Sequence, residues 1–299
     1  MEERIGFIGL GLMGKPMALR LKEAGYRLWV YDIRKEPVEE FSSLGATPCR
    51  SCREVAEKSE VIITMLPDAE AVEAAVLGDG GVAQGVREGK VLIDMTSNHP
   101  EVSARIADVL SKKSVGMLDA PVSGAPEGAR EGTLSIMVGG EKSLFERCLP
   151  ILQCMGRKVV HAGDRVGAGG YTKLANQILV GITLEGMAEA LVFGAKAGVD
   201  PALLVEAMGA GLARCGCLEI KAPKIIRGDF APGGKVTTHI KDFDYALSAA
   251  RELGVPLPVT AAVRELFEAV RVAGGGEQDH ASVIQVIERL AGFEARTKF

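Results

Sequence analysis

The chain has 299 residues, of which 47% are hydrophobic and 25% are charged. This composition is typical of a folded globular protein, and the length suffices for two domains because single cores rarely grow beyond about 250–300 residues. The net charge of -4 offers no positive field for a polyanion, so we predict no nucleic-acid partner.

The N-terminal stretch is acidic and leads directly into a short apolar run, Ile5–Ile8. It therefore lacks the charge order and the length of a signal peptide. No uncharged run approaches the roughly 20 residues that span a bilayer. We expect a cytoplasmic protein with no membrane-spanning segment.

Short β-branched runs alternate with longer amphipathic stretches in the first half of the chain. The predicted strands are Ile5–Ile8, Leu28–Tyr31, Val61–Met65, Val91–Asp94 and Gly116–Asp119. The predicted helices are Pro16–Ala24, Val38–Leu44, Ala69–Val76 and Val102–Lys112. This alternation predicts an α/β fold with a Rossmann-type, doubly wound parallel sheet covered on both faces.

From about Val166 the strand signal disappears and long apolar-periodic segments follow. The predicted helices are Tyr171–Ala197, Pro201–Gly209, Phe243–Leu253, Val259–Ala273 and His280–Leu290. We predict a dinucleotide-binding domain over residues 1–164 and an all-α substrate and oligomerisation domain over residues 165–299, entered by a long helix that starts near Tyr171. The apolar face Ile178–Val192 is larger than one small domain covers, which favours a homodimer or homotetramer.

The first predicted strand runs into Gly9-Leu-Gly11-Leu-Met-Gly14, which opens a helix. In a chain with 37 glycines this spacing is weak by itself, and a plain glycine turn would produce it. The context is stronger, because Asp32 closes the next strand about 20 residues on, as dinucleotide-binding turns require. The glycines let the backbone approach a pyrophosphate, whose charge the helix N-terminus stabilises. The residues that we predict to bind the cofactor here are Gly9, Gly11, Leu12, Met13 and Gly14.

Asp32 and Arg34 bear on which dinucleotide is bound. The Asp32 carboxylate would accept hydrogen bonds from a free ribose hydroxyl and would repel a 2′-phosphate. Arg34 and Lys35 could partly reverse that preference, or could be only the solvated start of the next helix. We expect NAD as the cofactor, with NADP as the alternative, and we include Asp32 and Arg34 among the cofactor-binding residues.

A glycine-rich segment follows the strand that ends at Asp119 and leads to a further apolar run, Leu134–Val138. Ligands of open α/β sheets bind at the carboxyl ends of the strands, so Ser123 and Gly124 could hold an anion with a hydroxyl and backbone N–H groups. A tight crossing of the chain would need such glycines equally. On spacing alone the two interpretations are equal.

Lys173 stands at the predicted domain boundary, immediately before an apolar run of several turns. Partial burial would lower the pKa of its ammonium and make it a better proton donor. Asn176, three residues later, lies on the same helical face and could orient a substrate hydroxyl or the amine. The alternative is a lysine whose stem covers apolar surface at a helix start, and the residues alone do not separate the two.

The six cysteines include two close pairs, Cys49 with Cys52 and Cys215 with Cys217. A structural zinc would need four ligands, and no histidine lies near either pair. The four histidines have no spacing typical of metal ligands. We expect reduced thiols and propose no metal site.

Several segments spread over almost the whole chain share the order and approximate spacing of a known family. They are Gly9–Gly14, Met65-Leu-Pro67, Asp119-Ala-Pro-Val-Ser-Gly124, Gly132-Thr-Leu134, Met137-Val-Gly-Gly140, Lys173-Leu-Ala-Asn-Gln177 and Lys241-Asp242. Together they resemble the β-hydroxyacid dehydrogenases, the family of 3-hydroxyisobutyrate dehydrogenase. The resemblance implies an NAD-dependent oxidoreductase that interconverts a small, carboxylate-bearing 3-hydroxyacid and its semialdehyde.

The resemblance also implies roles for individual residues. Lys173 would be the catalytic acid and base, and Ser123 and Gly124 would bind the substrate carboxylate, with Asn176 beside them. The residues that would approach the cofactor are Leu66 and Pro67 along the groove, and Thr96, Ser97 and Lys241 at the nicotinamide end. Without the resemblance, Lys241 and Asp242 would be an exposed ion pair of little consequence.

Two positions depart from the family pattern. Ala125 stands where a second glycine usually follows Ser-Gly, and Asn98-His99 stands where smaller or apolar residues are common. Either departure could alter the substrate pocket, and the sequence does not identify which semialdehyde fits it.

Two other functions must be weighed against this one. Imine reduction occurs on the same architecture, but its members commonly lack the lysine, so Lys173 argues against it. A dinucleotide-binding sensor or scaffold without turnover is disfavoured by the intact set of cofactor, anion and lysine positions.

Overall fold

The structure, a computed structural model, describes residues 3–297. The chain divides into two compact units, Met1–Lys173 and Leu174–Phe299. The long helix predicted from Tyr171 begins at Ala168 and ends at Lys196, so it passes from the first unit into the second. Lys173 therefore belongs to the first unit, while Asn176 and Lys241 belong to the second.

Nine strands, all within the described part of the first unit, form one sheet. They are β1 Arg4–Ile8, β2 Arg27–Tyr31, β3 Thr47–Pro48, β4 Val61–Thr64, β5 Val91–Asp94, β6 Gly116–Asp119, β7 Val122–Ser123, β8 Ser135–Gly139 and β9 Lys158–Gly163. Their order is β3-β2-β1-β4-β5-β6-β8-β7, and β9 pairs with β8.

The predicted parallel sheet is confirmed from β1 to β6, and an extension departs from it. Strand β8 runs antiparallel to both β6 and β7. The segment between β7 and β8 is shorter than the crossover that parallel neighbours need, so this glycine-rich region turns back on itself.

Eight helices accompany the sheet in the described part of the first unit. They are α1 Gly14–Glu23, α2 Lys35–Ser43, α3 Cys52–Lys58, α4 Ala69–Leu77, α5 Val82–Gly85, α6 Pro100–Ser111, α7 Ala125–Glu131 and α8 Lys142–Gln153. Alternate residues of a strand enter different apolar layers: on β4, Val61 and Ile63 join one cluster and Ile62 joins the other. Both faces of the sheet are therefore covered, and the doubly wound fold is confirmed.

Every named element of the second unit within residues 174–297 is helical, as predicted. After α9 Ala168–Lys196 come α10 Pro201–Ala210, α11 Gly216–Ile226, α12 Val236–Glu252, α13 Pro258–Val270 and α14 Ile284–Ala291, with a π turn at Arg271–Gly275 and a 3-10 turn at His280–Val283. The rings of Phe243 and Phe267 meet edge to face with centroids 5.4 Å apart. Gly181 permits this packing on α9, because a Cβ there would collide with the Phe243 ring.

Helix α9 is long and apolar enough to cross a membrane by length and composition, and 44% of its most apolar 18-residue window is buried. The uncharged run within α9 ends at Glu185, so this finding does not contradict the expectation that no uncharged run reaches spanning length. A central helix of a globular unit has the same length and composition, so the finding is weak support for a membrane span.

Candidate active site

In the glycine turn after β1, the fold itself requires two of the three glycines of the predicted motif, Gly9 and Gly14. Gly9 has a φ of +95°, and a Cβ on Gly9 or Gly14 would collide with a backbone carbonyl, that of Met65 or of Gly9 respectively. At Gly11 a Cβ would meet only the Arg34 guanidinium, 4.0 Å away. Packing thus explains two of the glycines. The third fits a close approach by a ligand at the start of α1, where the helix dipole favours the charge of a pyrophosphate.

The two apolar residues of the turn lie differently. Leu12 is 62% exposed, whereas Met13 is partly buried against the core on one face of the sheet. Leu12 is thus available to a bound molecule, and Met13 anchors the turn to the sheet.

Asp32 follows β2 directly and is bound to the same turn. Its Oδ2 accepts a hydrogen bond from the Leu10 N–H at 2.7 Å, and its Oδ1 accepts from the Arg34 N–H at 2.9 Å and from Arg34 Nε at 3.1 Å. Burial alone would raise the pKa of Asp32, but the hydrogen bonds from Arg34 and Leu10 and the Arg34 charge outweigh it, so the pKa lies below its ordinary value. Asp32 and Arg34, both predicted to bind the cofactor, are thus together.

Asp94, at the end of β5, organises the segment that follows. It is fully buried, and it accepts hydrogen bonds from the Thr96 N–H at 3.1 Å and from Asn98 Nδ2 at 3.2 Å. The Thr96 hydroxyl in turn accepts from the Leu66 N–H at 3.0 Å. Leu66 with Pro67 after β4, and Thr96 with Ser97 after β5, therefore lie at neighbouring strand ends.

Ser123 and Gly124 lie at the turn from β7 into α7. Ser123 pairs with Ser135 of β8, and Gly124, with a φ of +138°, precedes the first residue of α7. Ala125 has a φ of +57°, a left-handed conformation that favours glycine and costs other residues about 1–2 kcal/mol. The chain thus keeps the backbone shape of a Gly-Gly sequence with alanine in the second place.

Asp119, at the end of β6, holds the start of α9. Its Oδ1 accepts from the Gly167 N–H at 2.8 Å and its Oδ2 from the Gly170 N–H at 2.7 Å. Strands β5 and β6 are in register, so Asp94 and Asp119 are paired. Burial raises the pKa of Asp119 to about 6, against the effect of the two N–H groups, and the Asp94 charge adds to the rise.

Lys173 lies about one turn of α9 beyond Gly170, and only 7% of the residue is exposed. A lysine that merely covered apolar surface with its stem would keep its ammonium in water. The burial therefore argues against a lysine that only covers apolar surface with its stem while its ammonium stays in water.

The predicted residues of the second unit lie in a polar group that sequence reasoning only partly identified. Asn176 Nδ2 donates to Gln177 Oε1 at 3.1 Å, and Gln177 Nε2 donates to Asp242 Oδ2 at 2.6 Å. Lys241 Nζ lies 3.5 Å from Asp242 Oδ1 and 5.3 Å from the Tyr245 ring centroid. The side chains of Lys241 and Asp242 are 19% and 2% exposed, so they are not an exposed ion pair.

Asp94, Asp119, Gln177 and Asp242 have no site role among the predictions from the sequence. The first two carried a readable signal, since each is an acidic residue at the end of a buried strand. Gln177 and Asp242 are 65 residues apart in the chain, and spacing alone does not bring them together.

The cysteines take no part in these arrangements. All six are free thiols, and burial raises the pKa of Cys49 and of Cys52 to about 11. Thiols of that pKa stay protonated at neutral pH and are poor nucleophiles.

Comparison with known proteins agrees with this geometry in both units. Residues 4–163 match the family model for the NAD-binding domain of 6-phosphogluconate dehydrogenase, and residues 167–287 match the model described as NAD-binding of NADP-dependent 3-hydroxyisobutyrate dehydrogenase. The chain is 41% identical to 2-hydroxy-3-oxopropionate reductase of Escherichia coli (strain K12), covering 96% of this chain and 98% of that protein.

Two further relatives differ in the substrate that they are named for. The chain is 40% identical to 2-(hydroxymethyl)glutarate dehydrogenase of Eubacterium barkeri, covering 97% of this chain and 96% of the relative. The solved structure of 3-hydroxyisobutyrate dehydrogenase of Mycobacterium tuberculosis with L-serine matches with a TM-score of 0.88 at 28% identity, over 96% of this chain and 99% of that one.

Proposed function

Because the chain belongs to the 3-hydroxyisobutyrate dehydrogenase family of NAD-dependent oxidoreductases, we propose that it reduces 2-hydroxy-3-oxopropionate (tartronate semialdehyde) to glycerate and catalyses the reverse oxidation. The observation that carries the proposal is the buried Lys173 on a helix whose first turn is bound to the end of β6. The choice of substrate rests on the similarity to 2-hydroxy-3-oxopropionate reductase over almost the whole chain.

In this proposal Lys173 is the general acid of the reduction. Bound NADH supplies the hydride that reaches the aldehyde carbon. The Lys173 ammonium donates a hydrogen bond to the aldehyde oxygen, stabilises the negative charge that develops there, and gives that oxygen a proton. One aldehyde, one NADH and one proton thus become one alcohol and one NAD⁺, and in the reverse reaction the neutral amine accepts the proton.

Ser123 and Gly124 bind the substrate carboxylate in this proposal. The Ser123 hydroxyl and the Gly124 N–H lie where β7 passes into α7, and a hydroxyl with a nearby N–H is a good donor pair for a carboxylate. Asn176 contacts the substrate hydroxyl. Held at one end by its carboxylate, the substrate has its aldehyde in a fixed place.

The glycine turn binds the pyrophosphate of the cofactor. The open space at Gly11 and the start of α1 support this assignment. We assign Leu66 and Pro67 to the groove, and Thr96, Ser97 and Lys241 to the nicotinamide end. We propose NAD over NADP because the Asp32 carboxylate, with its lowered pKa, stays ionised and repels a 2′-phosphate. Arg34 beside it keeps NADP as the alternative.

Steady-state NADH oxidation with a panel of semialdehydes tests the proposal. The panel holds 2-hydroxy-3-oxopropionate, methylmalonate semialdehyde and succinate semialdehyde, and we expect the highest kcat/KM for the first. A clear preference for methylmalonate semialdehyde would favour the alternative, 3-hydroxyisobutyrate dehydrogenase. Tight NADH binding with no turnover across the panel would favour a sensor or scaffold.

We also propose a homodimer or homotetramer built on the second unit. Leu179 and Phe193 of α9 are 67% and 79% exposed. Their spacing, with the exposed Gly186 midway, places them on one face of the helix. Two large apolar side chains exposed on one helix face are unfavourable in water, and a second copy of the chain would cover them. Light scattering at micromolar protein is expected to give a multiple of the chain mass, and a monomeric mass would contradict the proposal.

A further inference from the structure

Asp119 is a buried carboxylate that the proposed reaction does not use, yet both of its oxygens are bound to one helix end. The Gly167 and Gly170 N–H groups point at Oδ1 and Oδ2 at 2.8 Å and 2.7 Å, on either side of Ala168, where α9 begins. The first N–H groups of a helix have no partner within the helix, and a carboxylate there also meets the positive end of the helix dipole. Asp119 thus caps α9 from a strand 48 residues earlier in the chain.

The start of α9 has little room to move at this point. A Cβ on Gly139, at the end of β8, would collide with Asp119 Oδ1 and with the Gly169 N–H, and a Cβ on Gly169 would collide with the Met137 carbonyl. Backbone therefore lies directly on backbone, and the first turn of α9 rests on the ends of β6 and β8.

Lys173 lies directly after this first turn of α9. It is three residues beyond Gly170 on the same helix, so the two lie on the same side of α9. A helix is stiff over one turn, and the position of its first turn fixes where the Lys173 side chain leaves the backbone.

We propose that Asp119 is a positioning residue, whose carboxylate holds the first turn of α9 on the strand ends and thereby fixes the Lys173 ammonium for proton transfer. This inference rests on the proposed role of Lys173 as the proton donor. Proton transfer is sensitive to placement, because a misplacement of about 1 Å can slow a reaction roughly 100-fold.

The Asp119 carboxyl must be ionised to accept both hydrogen bonds, since protonation turns one oxygen into a donor that faces an N–H. The groups around it are Gly139 on β8, Gly167 before α9, Gly169 and Gly170 on α9, and Asp94 on β5. Asp94 is the titratable group among them, and its charge opposes ionisation of Asp119. Because the pKa of Asp119 is raised to about 6, the cap is expected to loosen as the pH falls through that value.

Asp119→Asn tests the inference, with Glu288→Gln as the matched control. Glu288 is also a buried carboxylate that accepts from backbone, the Ala295 N–H at 2.9 Å, although it pairs with Arg296 as well, and it lies on α14. We expect Asp119→Asn to lower kcat for semialdehyde reduction roughly 10- to 100-fold, with KM and the NADH Kd changed by less than about twofold, whereas Glu288→Gln leaves kcat unchanged. The kinetic isotope effect with 4-deuterated NADH should rise in the Asn variant, since the chemical step becomes slower.

A second readout separates positioning from a general loss of stability. In the wild type, kcat for reduction should fall as the pH drops below about 6, and Asp119→Asn should lack this acid limb. If the Asn variant does not fold, hydrogen exchange of the Gly167 and Gly170 amides in the unaltered chain takes the place of the kinetic measurement. After correction for intrinsic rates, exchange of these two amides should become faster below pH 6, while the amides of β6 stay protected.

An unchanged kcat in a folded Asp119→Asn variant would overturn the inference, and so would an acid limb that persists in that variant. In the unaltered chain, protection of the Gly167 and Gly170 amides that does not change with pH would overturn it as well. Lys173→Ala, assayed in parallel, distinguishes this failure from failure of the proposed function. If Lys173→Ala is inactive and Asp119→Asn is fully active, the positioning role alone is wrong. If Lys173→Ala turns over normally, the proposed proton donor is wrong and the inference falls with it.

Discussion

Two carboxylates at the carboxyl edge of one sheet, Asp32 after β2 and Asp119 at the end of β6, have pKa values displaced in opposite directions. Burial pushes the pKa of both upward. At Asp32 the hydrogen bonds and charge of Arg34 reverse the shift, whereas at Asp119 the Asp94 charge adds to it and two N–H groups only reduce it. The neighbours, and not the residue type or the strand end, decide the direction.

The comparison separates the tasks of the two regions. The region after β2 keeps a carboxylate that is ionised throughout the physiological range, which suits constant recognition of a ribose hydroxyl. The region at β6 keeps a carboxyl that titrates near pH 6 and is bonded to the helix that carries Lys173. We therefore expect cofactor binding to be insensitive to pH and the chemical step to depend on it.

Among changes in the cofactor-binding region, Gly11→Val should weaken NADH binding the most. The added side chain fits the fold, because the nearest atom to a Cβ there is Arg34 Nη2 at 4.0 Å, but it occupies the space that the pyrophosphate needs. The NADH Kd should rise roughly 100-fold, about 2.7 kcal/mol, in fluorescence titration. Gly216→Val, at a helical glycine whose Cβ would meet nothing within 4 Å, is the control. Equal weakening in both variants would contradict the assignment.

A smaller effect is expected when the charge of the same region is changed. Asp32→Ser removes the repulsion of a 2′-phosphate, so the ratio of kcat/KM for NADPH to that for NADH should rise roughly tenfold, about 1.4 kcal/mol. Arg34→Ala should shift the ratio the other way. Because the pKa of Asp32 lies below its ordinary value, Asp32 stays ionised at both pH 5.5 and pH 8, and only the 2′-phosphate of NADPH, with a second pKa of about 6, changes its charge in this range. Any change of the wild-type ratio with pH should therefore centre near pH 6, and a change centred elsewhere would show that another protein group sets the preference.

The pH dependence of stability sharpens the comparison further. The pKa of Asp119 is about 6 in the folded protein and 3.8 ordinarily, so the folded state binds the proton more tightly and ionisation costs stability. When the pH is lowered from 7.5 to 5, the free energy of unfolding of the wild type should rise on the order of 1 kcal/mol relative to that of Asp119→Asn. Asp32, with its lowered pKa, contributes stability that is lost only at pH values below its ordinary pKa of 3.8, so Asp32→Asn should show no such change.

Melting temperatures of the three proteins at both pH values measure this difference. Activity and stability should separate below pH 6, since activity falls while the Asp119 contribution to stability rises. A wild type that loses stability relative to Asp119→Asn on acidification would reverse the sign and contradict the raised pKa.

The smallest predicted effect concerns Ala125, at the start of α7, shortly after β6 in the chain. Its φ of +57° is strained for alanine, so Ala125→Gly should raise the free energy of unfolding by about 0.5–1 kcal/mol in urea titration. Ala129→Gly in the same helix should lower it by at least about 1 kcal/mol. Destabilisation by Ala125→Gly would mean that the alanine methyl makes contacts worth more than the strain.

Much of the fold could be predicted because its signals are local. The alternation of Val61–Met65 or Val91–Asp94 with amphipathic stretches identifies strands and helices, and the glycine turn with Asp32 identifies the dinucleotide-binding region. Some of the missed elements have weak local patterns: β9 Lys158–Gly163 is an edge strand with exposed alternate residues, and α8 and α11 contain Pro150 and Pro223.

The candidate site was predicted only where a residue's type suggests its chemistry. Asp32 can be read in this way, whereas for Lys173 and Ser123 the residue type leaves two interpretations and the resemblance to the family chooses between them. The link from Asp119 to α9 cannot, because its partners are backbone N–H groups of two glycines far along the chain. The pair of Gln177 and Asp242 depends equally on tertiary structure, which brings α9 and α12 side by side within the second unit.

The measurement that tests the central claim most directly is single-turnover reduction of 2-hydroxy-3-oxopropionate by wild type, Lys173→Ala and Lys196→Ala. Lys196 lies at the far end of the same helix, where its Nζ donates to the Ala291 carbonyl at 2.6 Å, so it controls for loss of a lysine from α9. We predict that Lys173→Ala slows the hydride step roughly 100- to 10,000-fold with NADH affinity retained, and that Lys196→Ala does not. A Lys173→Ala protein that reduces the aldehyde at the wild-type rate would contradict the account.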